Sequence, residues 1–196
     1  MATSRATSPT RLMLALAAVV FGVVSAMWPA RPPADSSAIG GPFQLTTDEG
    51  TRLSDQELRG APFAVFFGFT NCPEICPTTL WEMSEALKAL GSEGRQLRLL
   101  FITVDPERDT PAVLSRYLQA FDSRIVGLTG SDTEIEAVAK SYRIYREKVP
   151  TDDGNYTMDH TATVMLMGKD GRFRGTIAYE ESSGTRLEKL KRLVRE

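Results

Sequence analysis

Three short apolar runs constrain this chain more than anything else in it. They are Pro62–Thr70 (PFAVFFGFT), Gln96–Val104 (QLRLLFITV) and Thr161–Met167 (TATVMLM). None shows the strict apolar–polar alternation of a strand with one wet face. Each is short and flanked by turn residues, so each reads as a strand buried on both faces of a sheet.

Helical periodicity fills the gaps between these runs. Leu80, Met83, Ala86, Leu87 and Leu90 recur at helical spacing up to Gly91, a stop signal. Thr110 before Pro111 reads as the cap of a helix over 111–121. A short strand is expected at Ile125–Leu128 and a helix over Asp132–Ile144. Tyr145–Val149 reads as a short edge strand and Pro150–Thr157 as a polar loop. After Thr161–Met167, Asp170-Gly171 turns the chain into Arg172–Ala178, and Arg186–Val194 forms a last amphipathic helix. Upstream, Pro42–Thr47 and Thr51–Leu53 flank Asp48-Glu49-Gly50, a hairpin turn. Ser54–Glu57 reads as one capped helical turn. Alternating strands and helices imply a parallel sheet covered on both sides, made mixed by the C-terminal hairpin.

Both cysteines of the chain, Cys72 and Cys76, fall on the turn between the first buried strand and the first long helix. With Pro77 taken as the first helical residue, Cys76 is expected at the N-cap or just outside it, and Cys72 on the loop before. Backbone N–H groups and the helix dipole favour a thiolate there. Two converging thiolates can close a disulfide or hold a soft metal such as Cu(I). C-x-x-x-C is one residue longer than the common dithiol oxidoreductase motif. Taken alone it leaves metal binding and redox exchange open. The element order, with a dithiol at a helix N-terminus beyond a strand's C-terminal end, is that of a thioredoxin-like α/β fold, a central mixed sheet flanked by helices.

The N-terminus carries a different signal. Arg5 and Arg11 precede an unbroken apolar run, Leu12–Trp28, which is an export signature. As a helix it would be about 25 Å long, slightly short for a bilayer core and long for a signal peptide. Residues 1–28 are therefore expected to be a membrane anchor or a cleaved signal, and the Pro- and Gly-rich residues 29–41 a linker. Residues 42–196 form the folded domain. Either export reading puts that domain outside the cytoplasm, in the periplasm or an equivalent space, where disulfides are permitted. The net charge of −2, with no run of Lys or Arg, sets nucleic acid aside.

His160 is the only histidine, in Met158-Asp159-His160 immediately before the third apolar run. A thioredoxin-like layout brings the start of that strand beside the dithiol. A neutral imidazole there completes a Cys₂His set suited to Cu(I) or Cu(II). Asp159 is a candidate to hold the ring by a hydrogen bond. Met158, Met165 and Met167 read as packing residues.

Three motifs, GFTNCPEICPTTL at 68–80, VDPERDTP at 104–111 and MDHTATVMLM at 158–167, together resemble the Sco/SenC family, membrane-tethered copper chaperones for cytochrome c oxidase assembly. The match runs through most of Pro42–Val194. The resemblance implies a domain carrying one copper on Cys72, Cys76 and His160, with Asp105 in a loop near the site. It implies that copper is delivered to the binuclear copper site of an oxidase subunit, or that the cysteines of that site are reduced, alongside other copper chaperones or thiol reductants. Asn71 and Glu74 depart from the usual family motif, but neither is a candidate ligand. A thiol–disulfide oxidoreductase is the alternative; no peroxidatic signature supports a peroxide-reducing enzyme on the same fold.

Overall fold

The computed structural model describes residues 39–196. The expected export segment and most of the linker lie outside them. Among the described residues no helix is long and apolar enough to cross a membrane.

A seven-stranded mixed sheet forms the centre. Its strands are β1 (Gln44–Thr47), β2 (Arg52–Ser54), β3 (Phe63–Gly68), β4 (Arg98–Thr103), β5 (Ile125–Thr129), β8 (Val164–Met167) and β9 (Phe173–Ile177). They run across the sheet in the order β2-β1-β5-β4-β3-β8-β9. The inner strands β3, β4 and β5 are parallel, while β1 and β2 at one edge and β8 and β9 at the other pair antiparallel. The three apolar runs thus lie side by side at the middle. All six residues of β3 and all four of β8 are buried, which is why neither shows alternation.

Four helices cover this sheet: α1 (Ile75–Leu90), α2 (Pro111–Leu118), α3 (Asp132–Ser141) and α4 (Ser183–Arg195). Neighbouring strand residues point to opposite faces. Phe66 accordingly meets Phe101, which meets Tyr117 of α2, whereas Phe67 packs on Tyr142 just beyond α3 on the other side. Helix α1 buries Leu80, Met83, Leu87 and Leu90 and packs against α4, which buries Leu190 and Leu193. It stops at Gly91, whose φ of 56° suits a residue without Cβ. The expected turn before β3 is a 3-10 helix at Asp55–Leu58 closed by a Ser54–Glu57 capping box.

The stretch between α3 and β8 departs from expectation. Helix α3 ends at Ser141, short of Ile144. β6 (Arg146–Pro150) is no edge of the main sheet; it pairs only with β7 (Tyr156–His160), in a separate two-stranded hairpin. The expected loop 150–157 shrinks to the turn that joins them, with Gly154 at φ 80°. His160 therefore ends β7, three residues short of β8, instead of directly preceding a buried strand.

Candidate metal centre

β3 delivers the chain to the cysteine turn, and Gly68 is where space runs out. A Cβ at Gly68 would lie 2.6 Å from Phe101 Cε2 and 2.9 Å from Cys76 Sγ. The sulfur of Cys76 fills that gap, so a side chain is excluded. Helix α1 begins at Ile75, with Glu74 as N-cap, two residues earlier than Pro77 as first helical residue indicates. Cys76 is thus inside the first turn, not at or before the cap. Pro77 is tolerated because first-turn N–H groups have no intrahelical acceptor.

The two sulfurs differ. Cys76 is fully buried and Cys72 half-buried; both are free thiols. The backbone N–H of Cys76 points at Cys72 Sγ at 3.4 Å. The Cys76 thiol donates to Cys72, and burial opposes ionisation. Further hydrogen bonds from His160 and from the backbone of Cys76 and Glu74 outweigh that burial and bring the Cys72 pKa down to about 4. Cys76 moves the other way: the proton it shares with Cys72, its burial and the nearby thiolate all hold it protonated. The metal-free site therefore carries a thiolate on Cys72 and a thiol on Cys76.

His160 arrives from 84 residues further along the chain. Its Nε2 lies 3.8 Å from Cys76 Sγ, and its Nδ1 is 3.1 Å from the Thr161 carbonyl. A carbonyl only accepts, so Nδ1 donates to it and Nε2 is the ring nitrogen that faces the sulfurs. Phe69 meets the imidazole edge-on at 5.8 Å. Asp159 does not orient the ring: it is the neighbouring strand residue, points to the opposite face and is exposed, and the Thr161 carbonyl takes its place.

Asp105 is buried, and its side chain bonds to the hairpin's supports, Arg108 and Tyr156. It is ion-paired with Arg108 and accepts from the Tyr156 hydroxyl at 2.9 Å. Arg108 stacks on the Tyr156 ring at 3.8 Å, reaches over Phe69 at 6.0 Å and donates to the Tyr156 carbonyl. This group fastens the hairpin that bears His160 to the loop after β4. Among the described residues no three His, Cys, Asp or Glu side chains form a ready-made metal cage. Cys72, Cys76 and His160 are in contact pairwise, so closing them around an ion needs small sulfur movements, not refolding.

Sequence reasoning missed Gly68, Thr161 and Asp109. Asp109 lies inside the VDPERDTP motif, where it reads as part of the cap that Thr110 and Pro111 form. Thr110 does cap α2, accepting from Val113 N. Asp109 instead accepts hydrogen bonds from Thr70, two residues before Cys72.

Known proteins resemble this chain in fold and sequence. The SCO1/SenC family model matches residues 31–195. The mitochondrial SCO1 homolog 1 of Arabidopsis thaliana is 41% identical over 143 residues, covering 72% of this chain and 43% of that protein. The chain spans about half the length of the first such curated relatives it matches. Among solved structures, copper-bound ScoI of Bradyrhizobium japonicum superposes with a TM-score of 0.75 at 49% identity, covering 80% of this chain and 99% of that one. BsSco, described with a disulfide switch and as a member of the Sco family of cytochrome c oxidase assembly proteins, gives 0.64 at 27% identity, with 85% and 98% covered. With a thioredoxin-like sheet, a Cys-x-x-x-Cys turn at the start of α1 and a matching family model over nearly all the described residues, the chain belongs to the SCO1/SenC family.

Proposed function

We propose that this chain is a copper metallochaperone for the binuclear copper site of cytochrome c oxidase, with Cys72, Cys76 and His160 binding one copper as cargo. The observation that carries the reading is the approach of His160 Nε2 to Cys76 Sγ at 3.8 Å across 84 residues. Sulfur and imidazole bonds to a first-row metal are about 2.3 and 2.0 Å, and in a trigonal arrangement those donors lie about 3.7 Å apart. Two thiolates and an imidazole form a soft set that suits Cu(I) and also accepts Cu(II). The copper-bound ScoI neighbour and the oxidase-assembly description of BsSco support the same cargo and destination. Residues 1–28 tether the domain to the inner membrane and leave it on the periplasmic face, where the oxidase copper-site subunit and other copper chaperones or thiol reductants meet it.

Cys72 is already a thiolate, so the sulfur that must lose a proton when copper is loaded is the buried Cys76. A Cys72–Cys76 disulfide has no thiolate to offer, so the reduced state gates loading.

One observation favours a second reading, thiol–disulfide exchange. The exposed member of the pair is the thiolate and the buried one keeps its proton. Cys72 would attack a disulfide on the partner, forming a mixed disulfide and releasing one partner thiolate. Cys76 would then lose its proton, attack Cys72 Sγ and release the second, leaving a Cys72–Cys76 disulfide and a reduced partner.

Copper titration of the reduced full-length protein tests the main reading. The wild type should bind one copper per chain and Cys72→Ser and Cys76→Ser should lose it. The oxidised protein should bind none until a reductant is added. If His160→Ala binds as tightly as the wild type, the Cys₂His assignment is wrong.

A further inference from the structure

A buried carboxylate, Asp109, bonds to the start of the cysteine turn, and among the described residues no ion pair neutralises it. Asp109 has no exposed surface. Its Oδ1 accepts from Thr70 Oγ1 at 2.6 Å, and its Oδ2 accepts from the Thr70 backbone N–H at 3.0 Å and from Thr103 Oγ1 at 2.7 Å. All three donors are neutral, and Asp109 forms no ion pair among the described residues. Its carboxylate neighbour Asp105 adds repulsion, and burial pushes its pKa up.

Hydrogen bonding alone does not call for a charge here. The backbone N–H of Thr70 needs an acceptor, but the two hydroxyls can donate or accept. An asparagine with its oxygen at the Oδ2 position would take the Thr70 N–H and the Thr103 hydroxyl. Its amide nitrogen would donate to a reversed Thr70 hydroxyl. The same clamp is therefore available without the cost of burying a carboxylate away from water.

Thr103 pairs with Gly68 between β4 and β3, and a Cβ at Gly68 would stand 2.9 Å from Cys76 Sγ, so a carboxylate bonded to Thr70 and Thr103 lies against the backbone that carries the site. We propose that Asp109 is a charge-tuning residue, a fixed negative charge behind Cys76 that biases the Cys72–Cys76–His160 site toward the more highly charged copper ion. The proposal rests on the copper-binding reading above. Going from Cu(I) to Cu(II) adds one positive charge. Two unit charges about 10 Å apart, at an effective dielectric of about 20, interact by an energy equivalent to about tenfold in affinity, which sets the scale of the effect.

Asp109→Asn separates charge from clamp. In the full-length protein at pH 8, the variant should lower the ratio of Cu(II) to Cu(I) affinity by about tenfold. Each affinity is read by competition with a chelator selective for that ion. Metal-free Asp109→Asn should melt at or above the wild-type temperature, because it keeps the contacts and removes a buried charge. Thr70→Val, which loses one hydrogen bond and keeps the charge, should leave the ratio within about twofold. An unchanged ratio in Asp109→Asn overturns the proposal, as does a fold less stable than wild type, or an equal shift in Thr70→Val. Wild-type protein that binds neither ion overturns the copper reading itself, and the proposal with it.

Discussion

Gly68→Ala adds one methyl group at the point where β3, β4 and the cysteine helix converge. The backbone there cannot retreat: Gly68 pairs with Thr103 in β4, and its carbonyl accepts from Val104 N at 2.8 Å. The new carbon would stand 2.6 and 3.2 Å from the edge of the Phe101 ring and 2.9 Å from Cys76 Sγ. Carbon–carbon contacts settle at about 3.5–4.0 Å, so the ring has to withdraw by about 1 Å. Phe101 is fully buried, with Phe66 at 6.0 Å and Tyr117 at 5.9 Å, and has no space to enter. Overpacking of this kind costs about 1–3 kcal/mol. The lower chain entropy of alanine in the unfolded state returns about 0.5–1 kcal/mol. A net loss of about 1–2 kcal/mol is expected, or about 2–8 °C in Tm for a domain of this size. Because Cys76 Sγ is the other atom displaced, copper affinity should fall about 10–100-fold, the range seen when the support of a metal ligand is disturbed. Urea unfolding of the metal-free protein reads the first effect, and competitive copper titration the second. A Gly68→Ala protein with wild-type midpoint and wild-type copper affinity would refute the claim that Cys76 is held by the absence of a side chain at 68.

Cys72 should be alkylated by iodoacetamide ahead of Cys76, at a rate nearly independent of pH between 6 and 8, because a thiol with a pKa of about 4 is already ionised there. A rate that climbs about tenfold per unit through that interval would show an ordinary thiol instead. Arg108→Met leaves buried Asp105 without its ion partner and should cost about 3 kcal/mol. It should also accelerate amide exchange across 146–160; slow exchange there in the variant would mean that the hairpin is fastened elsewhere.

The sheet was readable from composition of its strands, since a run buried on both faces has no alternation to lose. The hairpin was not. Arg146, Glu147 and Lys148 are all charged, and they offer no apolar face to mark a strand; their pairing with Met158–His160 comes from the reversal at 151–155. The cysteine turn was legible because a buried strand, two thiols and a helix start follow each other directly. Its fine placement was not, because proline is compatible with several first-turn positions. Asp159 and Thr161 flank His160 symmetrically in the sequence, and only the backbone path decides that the carbonyl of Thr161, not the carboxylate of Asp159, meets the ring. Asp109 was hidden for a related reason: a carboxylate before a Thr-Pro cap reads as part of the cap until its distance from Thr70 is known.

The candidate ligands belong to two separately hydrogen-bonded sheets. Cys72 and Cys76 hang from the seven-stranded sheet, while His160 ends a hairpin fastened by the side chains of Arg108, Tyr156 and Asp105. A metal ion shared between them is a removable rivet, and cargo status becomes mechanical status. A loaded protein should resist proteolytic nicking at the exposed 151–155 tip better than an empty one, so a protease can sort used carriers from charged ones. Equal nicking rates with and without copper would show that the hairpin does not sense its cargo.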